Sequence, residues 1–265
     1  MAVSLECRGL YFSYRHLPVL KNLSLCARAG RFCAVLGRNG SGKTTLLHCL
    51  NRTLTADAGS ILIHGTSLMS MSQNQIAKKI SLVPQEHMDI FPYRVLDVVV
   101  MGRAPFLKIS QRPGPKDYEM AHNSLNSLNA GRLAMKNFNR ISGGERQIVL
   151  LARALTQASH IMLLDEPTNH LDFNNQYHLL SSIRSLCRAK NLCILASMHD
   201  PNMAALFADD VIMISKGSIM ACGPACEVMT EHNISALYGT GINSIQLTSG
   251  KKAFFPDNIF MDTEQ

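Results

Sequence analysis

The sequence predicts an α/β fold with a doubly wound sheet, and three observations support this prediction. Residues 32–45 read as a buried apolar strand, a glycine-rich loop and a helix from about Lys43. From residue 147 onward, helices alternate with apolar runs of strand length, as they do in doubly wound sheets. Residues from about 86 to 140 instead have helical spacing around a proline-rich connector, which predicts a helical insertion in the α/β core.

The two ends of the chain supply further elements. In the first third, three runs are typical of strands, and they read LECRGLYFSY, VLKNLSLCA and GSILIHG. From about Glu231 the pattern predicts a short helix and then a hairpin, NSIQLTSGKKAFFPD, that turns at Ser249 and Gly250. The sequence has no internal repeat or low-complexity tract, so we expect a single domain over residues 1–265.

Composition narrows the class of protein. Of the 265 residues, 46% are hydrophobic, which is enough for a full buried core. No apolar run reaches the roughly 18 to 20 residues of a membrane-spanning helix, and the first residues do not resemble a signal peptide. The eight cysteines are scattered without a CxxC pair, and we interpret them as small buried hydrophobic residues in a reducing compartment. A cytosolic protein is therefore expected.

The net charge of +7 is compatible with a nucleic acid, an anionic membrane surface or a polyphosphate as partner. The basic residues are dispersed, however, and the sequence has no dense run of lysine and arginine with interleaved aromatic residues. We therefore expect no nucleic-acid partner.

A phosphate-binding loop is the most informative single motif. Residues 37–45, GRNGSGKTT, match the pattern G-x-x-x-x-G-K-[ST] between a buried strand and a helix, which is where this motif binds phosphate. We expect the Lys43 ammonium to bridge the β- and γ-phosphates and the Thr44 hydroxyl to bind Mg²⁺, with backbone N–H groups around the phosphates. The alternative is a glycine-rich turn without a ligand. The candidate ATP-binding residues of this loop are Gly37, Arg38, Asn39, Gly40, Ser41, Gly42, Lys43, Thr44 and Thr45.

Two acidic residues follow a later apolar strand. Asp165 ends the run IMLLD, and its carboxylate is suited to hold Mg²⁺ directly or through another ligand. Glu166 comes next, and since neighbouring side chains of a strand point to opposite faces, it can aim at a water in line with the γ-phosphorus. The alternative is a strand end with two solvated acids.

Three further side chains are candidates for the same site. His199 ends another apolar strand at the same sheet edge, where it could donate a hydrogen bond to the γ-phosphate, although isolated histidines are usually structural. Gln85 ends a strand-like run and could reach Mg²⁺ or the attacking water. Tyr14 could stack on adenine, but Tyr11 and Phe12 compete for that role, and an aromatic residue in a strand is more often part of the core.

Residues 141–147, ISGGERQ, place two glycines at the start of a predicted helix, although glycine inside a helix costs about 1 kcal/mol relative to alanine. Ser142 and Glu145 have the spacing of a capping box, which satisfies N–H groups of the first turn but does not require Gly143 or Gly144. The alternative is that a large anion presses against this helix start, where exposed N–H groups and the helix dipole favour phosphate.

These motifs, in this order and spacing, closely resemble the nucleotide-binding subunit of ATP-binding cassette (ABC) transporters. The resemblance covers nearly the whole chain, and the motifs are GRNGSGKTT, LVPQ, ISGGERQ, LLDEPTNHLD and SMHD. It implies an ATPase whose ligands are ATP and Mg²⁺. The implied metal ligands are Thr44, Gln85 and Asp165, and the implied catalytic residues are Glu166 as general base, His199 and Gln85.

The family also implies a division of the chain and a pairing of two copies. A P-loop NTPase core with an antiparallel β-subdomain would cover about 1–85 and 157–240, a helical signature subdomain 86–156, and a C-terminal hairpin 241–265. Two cassettes would pair head to tail, so that the signature helix of one completes the ATP site of the other. The signature residues are Ser142, Gly143, Gly144 and Glu145. Ser142 and the backbone of Gly143 and Gly144 would contact the partner's γ-phosphate, a side chain at either glycine would obstruct it, and Asp172 would lie at the dimer seam.

The segments VLDVVVMGRAPFLKISQRPGPKDYE and DEPTNHLDFNNQ resemble cassettes of bacterial and archaeal importers for iron–siderophore complexes, haem and cobalamin, a group that includes molybdate and tungstate importers. Such importers contain two membrane permeases and an external substrate-binding protein, which implies a location at the cytoplasmic face of the cell membrane. The stretch from Gln85 to Arg103 would grip a permease helix. The alternatives are a soluble ABC ATPase acting on ribosomes or DNA, and an exporter.

The sequence departs from the commonest family pattern at four points. Ile141 replaces leucine, Glu145 replaces glutamine, Arg38 stands where proline is frequent, and NHLD replaces SALD. Glu145 and NHLD are familiar in this group of importers, whereas Arg38 adds a cation beside the polyphosphate.

Overall fold

The computed structural model describes residues 2–85, 92–108, 110–169, 171–248 and 250–257. Within these ranges the strands are β1 (Val3–Tyr14), β2 (Leu17–Arg28), β3 (Phe32–Leu36), β4 (Ala58–Ile63), β5 (Thr66–Ser67), β6 (Ile80–Val83), β7 (Ile161–Leu164), β8 (Cys193–Met198), β9 (Asp210–Ser215), β10 (Ser218–Pro224), β11 (Ile242–Gln246) and β12 (Lys252–Pro256). The helices are α1 (Lys43–Leu50), α2 (Gln73–Ala77), α3 (Val95–Val100), α4 (Pro115–Ser127), α5 (Gly143–Thr156), α6 (Phe173–Ala189), α7 (Pro201–Phe207), α8 (Ala225–Val228) and α9 (Glu231–Tyr238).

The central sheet has the strand order β10-β9-β3-β8-β7-β6. Strands β9, β3, β8, β7 and β6 are parallel, and β10 pairs antiparallel with β9 at one edge. Helices connect the parallel strands, and the predicted α/β class is confirmed. β5 and α2 were not predicted, because each is too short to show a clear periodicity in the sequence.

Strand β3 separates two hydrophobic cores. Phe32, Ala34 and Leu36 face one core, whereas Cys33 and Val35 face the other, and all five residues are buried. Because side chains alternate along a strand, an uninterrupted apolar run is suited to a strand that is covered on both faces. The run RFCAVLG therefore places the phosphate-binding loop at the end of a strand that is buried on both faces.

A second, antiparallel sheet covers one of these cores. Its strand order is β2-β1-β4-β5, and its buried residues Leu5, Leu10 and Leu23 share a core with Leu46 and Leu47 of α1. The three strand-like runs of the first third thus form β1, β2 and β4, and the antiparallel part of the predicted fold is confirmed.

The helical subdomain that the family resemblance implied, residues 86–156, contains α3, α4 and α5, which pack on one another. Buried valines of α3, including Val95 and Val99, and buried residues of α5, such as Val149, belong to the same core as Phe32. A 3₁₀-helix over Met101–Phe106 continues α3 and includes Pro105. The exact subdomain boundaries stay a prediction.

The tail forms α9 and an antiparallel hairpin, in which Ile242 pairs with Pro256 and Gln246 with Lys252. Gly250 lies in the connection, with a φ of 77°, while Ser249, the other predicted turn residue, lies outside the described residues. In the parts of the chain that the structure describes, no helix has the length and apolar character needed to cross a bilayer.

Two of the eight cysteines are exposed, so the prediction that the cysteines are buried is wrong for these two. Five cysteines are buried and Cys26 is half-buried, but Cys222 and Cys226 are exposed. Cys222 lies on the edge strand β10 and Cys226 on α8, where one face meets solvent. Spacing alone did not distinguish these edge positions from core positions.

Candidate active site

A cleft of about 920 Å³ opens where the parallel strands end. Gly37 follows β3, Glu166 comes two residues after β7, His199 follows β8, and Gln85 lies two residues after β6. Because parallel strands have their carboxyl ends at one edge of the sheet, these side chains meet there. The residues lining the cleft are Val19, Gly37, Arg38, Asn39, Gly40, Gly42, Lys43, Thr44, Thr45, Gln85, Glu166, Asn169, His199 and Tyr238.

The phosphate-binding loop is tightly folded, and two of its glycines are sterically required. A Cβ on Gly37 would lie 2.4 Å from Ser41 Oγ and 2.5 Å from the carbonyl oxygen of Ile214. Gly42, with a φ of 104°, precedes α1 in a conformation that L side chains rarely adopt. The loop therefore presents bare backbone to the cleft at the start of a helix, an arrangement that suits phosphate.

Lys43 is almost fully buried and stabilises the loop from within. Its Nζ donates hydrogen bonds to the carbonyl oxygens of Gly37 (2.8 Å) and Arg38 (3.2 Å), and it lies 3.9 Å from Glu166 Oε1. Burial lowers the pKa of the Lys43 ammonium, while the carboxylates of Glu166 and Asp165 act in the opposite direction. The ammonium is thus held at the floor of the cleft, where an anionic ligand would further favour its charged form.

Asp165 lies beneath the cleft and is 1% exposed. Its Oδ1 accepts a hydrogen bond from Thr44 Oγ1 at 3.1 Å and another from Ser197 Oγ at 2.6 Å. Thr44 and Asp165, predicted to share a metal ion, are therefore in direct contact. Ser197 on β8 was not predicted, because a serine inside an apolar strand gives no signal of its neighbours on the next strand.

Glu166 has an unusual backbone conformation, with a φ of 44°. This left-handed conformation turns the chain immediately after Asp165, so the two carboxylates point to different places. Ser197 Oγ accepts a hydrogen bond from Glu166 N at 2.7 Å and so supports the turn. Gln85 Nε2 donates to Glu166 Oε2 at 2.8 Å, which brings two of the three predicted catalytic residues into contact inside the cleft.

Three predicted metal ligands have side chains whose chemistry suits a magnesium ion. A hydroxyl, a carboxylate and an amide, from Thr44, Asp165 and Gln85, are the hard oxygen ligands that Mg²⁺ uses together with phosphate oxygens and water. Within the described ranges, no group of three or more His, Cys, Asp and Glu side chains could hold a metal ion by itself. If phosphate oxygens supply the remaining ligands, the charge of the ion would offset that of the phosphates.

Several predicted residues do not line this cleft. Tyr14 is half-exposed, and its ring packs edge to face on Phe12 with 4.8 Å between ring centroids, so stacking on adenine stays a prediction. Ser41 is buried in the loop, and its Oγ has no hydrogen-bond partner among the described residues. The signature residues 142–145 and Asp172 are also absent from the lining.

The signature segment begins α5 with a complete capping box. Ser142 Oγ accepts a hydrogen bond from Glu145 N at 3.2 Å, and Glu145 Oε2 accepts one from Ser142 N at 3.1 Å. The Ser142 N–H group lowers the pKa of Glu145, and the hydrogen bond from Arg132 acts in the same direction. Both residues therefore have a local role, as the spacing predicted.

The two glycines of this segment have different surroundings. A Cβ on Gly143 would meet no described atom within 4 Å, while one on Gly144 would lie 3.4 Å from Leu171 and 3.6 Å from Asn175, an ordinary packing distance. Packing within one chain thus gives no reason for glycine at position 143. Asp172 caps α6, and its Oδ2 accepts a hydrogen bond from Asn175 Nδ2 at 2.8 Å, so the predicted seam residue is linked to the signature through Asn175.

Three lining residues were not predicted. Val19 comes from β2, Asn169 from the quoted segment LLDEPTNHLD, and Tyr238 from the end of α9. Asn169 could have been identified from its position three residues after Glu166. Val19 and Tyr238 could not, because only the packing of distant segments brings them to the cleft.

Comparison with known proteins agrees with this geometry. The family model described as ABC transporter matches residues 20–169. The probable iron chelatin transport ATP-binding protein of Helicobacter pylori is 35% identical over 242 residues, covering 91% of this chain and 95% of the relative. The hemin import ATP-binding protein of Burkholderia lata is 34% identical over 264 residues, covering 93% and 97%.

A solved structure of an ABC transporter is also similar to this chain. It is described as a metal-chelate type ABC transporter in an inward-facing conformation, and it is 31% identical, with a TM-score of 0.85 over 97% of this chain and 98% of the other. The phosphate-binding loop, the paired acids and the matched family model together show that the chain belongs to the ABC transporter family, as one of its ATP-binding, ATP-hydrolysing cassettes.

Proposed function

We propose that this ATPase energises a bacterial or archaeal importer for a metal chelate, an iron–siderophore complex, haem or cobalamin. The proposal depends on Lys43, Glu166 and His199, which line one cleft. Over more than nine-tenths of its length, the chain is similar to cassettes named for hemin and iron chelatin import. In this function, ATP binding and hydrolysis drive two cassettes together and apart at the cytoplasmic face of the membrane. Two permease subunits and an external substrate-binding protein are the further partners.

Each group of the cleft receives a role in this proposal. Lys43 and the loop backbone bind the phosphates, and Thr44, Asp165 and Gln85 hold Mg²⁺. Glu166, in contact with Gln85, takes a proton from the attacking water as general base. His199 donates a hydrogen bond to the γ-phosphate. Tyr14, which does not line the cleft of one chain, stacks on the adenine of bound ATP.

We further propose that the working ATP site needs a second copy of the chain. The signature residues do not line the cleft, and Gly143 offers bare backbone with no described atom within 4 Å of an added Cβ. A head-to-tail partner would place its α5 start over the phosphates, with Asp172 at the seam. The exposed start of α5 would then supply N–H groups to the phosphate that Lys43 holds.

Capture of the protein from native membranes tests the importer. Tagged wild-type protein and a Glu166→Gln variant are isolated from detergent-solubilised membranes, and the co-purifying membrane proteins are identified by mass spectrometry. Cells that lack the chain are then assayed for uptake of chelated iron, haem, cobalamin, molybdate and tungstate, with either form restored.

The expected result is a many-helix permease in both captures, and uptake of one metal chelate that wild type restores and Glu166→Gln does not. If the protein restores uptake of molybdate or tungstate instead, the importer function is supported but the proposed cargo is wrong. Recovery of ribosomal or DNA-bound proteins without a membrane protein would overturn the transport function and leave only the ATPase.

A further inference from the structure

The end of α9 is attached to the segment that carries His199. Tyr238 Oη donates a hydrogen bond to the backbone carbonyl oxygen of His199 at 2.7 Å. The tyrosine also lines the ATP cleft, and the residue after it, Gly239, ends α9 with a φ of 73°. A Cβ on Gly239 would lie 3.7 Å from Arg38 Nη1, so this helix end also comes close to the phosphate-binding loop.

The Tyr238 hydroxyl is suited to act as a permanent donor. Burial raises the pKa of Tyr238 well above the ordinary value of 10.0, and the carboxylate of Asp200 acts in the same direction. The phenol therefore keeps its proton throughout the neutral range. Since the acceptor is a backbone carbonyl, the hydrogen bond restrains the peptide group that joins His199 to Asp200.

The neighbouring helix α7 is also held by the tail. Asp200 Oδ1 accepts hydrogen bonds from Asn202 N and Met203 N, which caps α7 directly after His199. Asn202 in turn pairs with the main chain of β12, because its Nδ2 donates to the Phe254 carbonyl oxygen at 3.0 Å and its Oδ1 accepts from Phe254 N at 2.7 Å. Phe254 is buried in the main core, which anchors this attachment.

At the other end of α7, Lys251 Nζ donates hydrogen bonds to the carbonyl oxygens of Ala205 and Leu206. These carbonyls belong to the last turn of the helix, where an ammonium is favourable. Contacts at both ends therefore fix α7 against the C-terminal hairpin. The His199 side chain itself is exposed, so its direction depends on the backbone that these contacts restrain.

We propose that Tyr238 is a positioning residue for His199. The hydroxyl holds the backbone of residue 199 so that the imidazole is directed at the γ-phosphate of bound ATP, and the tail from α9 to β12 acts as the support of this arrangement. The inference rests on the role proposed above for His199. It assigns a function to a segment that lies outside the matched family region, residues 20–169.

The substitution Tyr238→Phe tests this inference, because it removes one hydroxyl and keeps the ring. We expect kcat for ATP hydrolysis to fall about five-fold, the loss expected for one neutral hydrogen bond, with KM for ATP changed by less than about two-fold. Tyr118→Phe on α4 is the matched control, and it should leave kcat unchanged. A merely structural role for Tyr238 would lower the melting temperature without this separation of kcat from KM.

A second measurement does not depend on turnover. In histidine-labelled protein, the imidazole resonance of His199, assigned with His199→Ala, should shift in Tyr238→Phe and stay in place in Tyr118→Phe. Unchanged kcat and an unchanged His199 resonance in Tyr238→Phe would overturn the inference.

The two proposals can fail separately. If His199→Ala hydrolyses ATP at the wild-type rate, the proposed role of His199 is wrong and the inference fails with it. If His199→Ala is inactive but Tyr238→Phe equals wild type, only the positioning role is wrong.

Discussion

At the scale of single residues, Glu166 is a catalytic candidate with a left-handed backbone, at a φ of 44°. A non-glycine residue in the left-handed region costs on the order of 1–3 kcal/mol, and such residues persist where surrounding contacts hold them. Here Ser197 Oγ and Gln85 Nε2 provide these contacts, at 2.7 and 2.8 Å. The strained turn separates Glu166 from Asp165, so that one carboxylate can lie with Thr44 while the other enters the cleft.

The general-base role proposed for Glu166 leads to a direct prediction. Glu166→Gln should bind ATP normally, because the amide has nearly the same shape, while kcat falls by about 10²- to 10⁴-fold because the water loses its proton acceptor. Steady-state hydrolysis and nucleotide titration measure the two effects. The exposed Glu119→Gln is the control and should behave as wild type, and near-normal hydrolysis by Glu166→Gln would assign the base to another group.

At the scale of elements, α4 and α5 each have a carboxylate in the first turn that accepts a hydrogen bond from the N–H group of the residue just before the helix. Glu145 caps α5, and Asp117 caps α4, where its Oδ2 accepts from Gly114 N at 3.0 Å and its Oδ1 from Arg103 Nε at 3.0 Å. Such caps are worth about 1 kcal/mol each. In α5, however, the capped end also has the bare backbone at Gly143, which the cap does not explain.

The substitution Gly143→Ala separates the stability of α5 from its function. The new methyl group meets no described atom within 4 Å, and alanine favours the helical conformation, so the melting temperature should stay the same or rise. If the partner's phosphate approaches this backbone, ATP-dependent dimerisation and hydrolysis should still fall, by roughly ten-fold.

Thermal unfolding, together with size-exclusion chromatography in ATP, measures both properties of Gly143→Ala. Gly144→Ala, with neighbours at 3.4–3.6 Å, gives the comparison in a packed position. Full activity of Gly143→Ala would contradict a close approach of the partner's phosphate at this residue.

The cap of α4 predicts a dependence of stability on pH. The Gly114 N–H group, and then the Arg103 hydrogen bond, lower the pKa of Asp117 from its ordinary value of 3.8. A carboxyl whose pKa is lower in the folded state stabilises the fold above pH 3.8, and this contribution is lost as the pH falls through the folded pKa.

In Asp117→Asn that contribution is absent at every pH. The variant should therefore melt about 2–4 °C below wild type at pH 7, and the difference should shrink toward pH 3. Melting curves across this range, at constant ionic strength, measure the effect. A difference that does not change with pH would show that the lost charge is not the cause.

At the scale of the whole molecule, the proposed composite site requires two surfaces of one chain that lie at different places. The cleft contains Lys43, Glu166 and His199, while the start of α5 lies outside its lining. Asn175 contacts Asp172 and would also be 3.6 Å from a Cβ on Gly144, so the residue proposed for the dimer seam lies near the signature segment. In a head-to-tail dimer with two-fold symmetry, the cleft of each copy would face the α5 start of the other, so that two equivalent sites form.

Mixing two inactive variants tests this dimer. Lys43→Ala and Ser142→Arg should each lose ATP hydrolysis, but a mixed dimer contains one intact site, formed by Lys43 of one copy and Ser142 of the other. An equimolar mixture should thus recover about a quarter of the wild-type rate per chain, since about half of the dimers are mixed.

The control for this mixture is Lys43→Ala with the Lys43→Ala, Ser142→Arg double variant, which has no intact Lys43 and should stay inactive. Normal hydrolysis by each single variant, or no recovery in the first mixture, would exclude the composite site.

The sequence by itself determined the α/β class, the phosphate-binding loop, the paired acids, His199 and the capping box of α5. These features depend on local spacing, on strand alternation and on the rule that parallel strands end at one edge, all of which can be read along the chain. Only the tertiary structure decided that Ser197 joins Asp165 to Glu166, that Glu166 is left-handed, and that Tyr238 donates a hydrogen bond to the His199 carbonyl oxygen. Those contacts join segments up to 39 residues apart in sequence, and their side chains meet only after the sheet and the tail have packed. A local sequence pattern does not predict these contacts, because the rest of the fold sets the distance between the segments that make them.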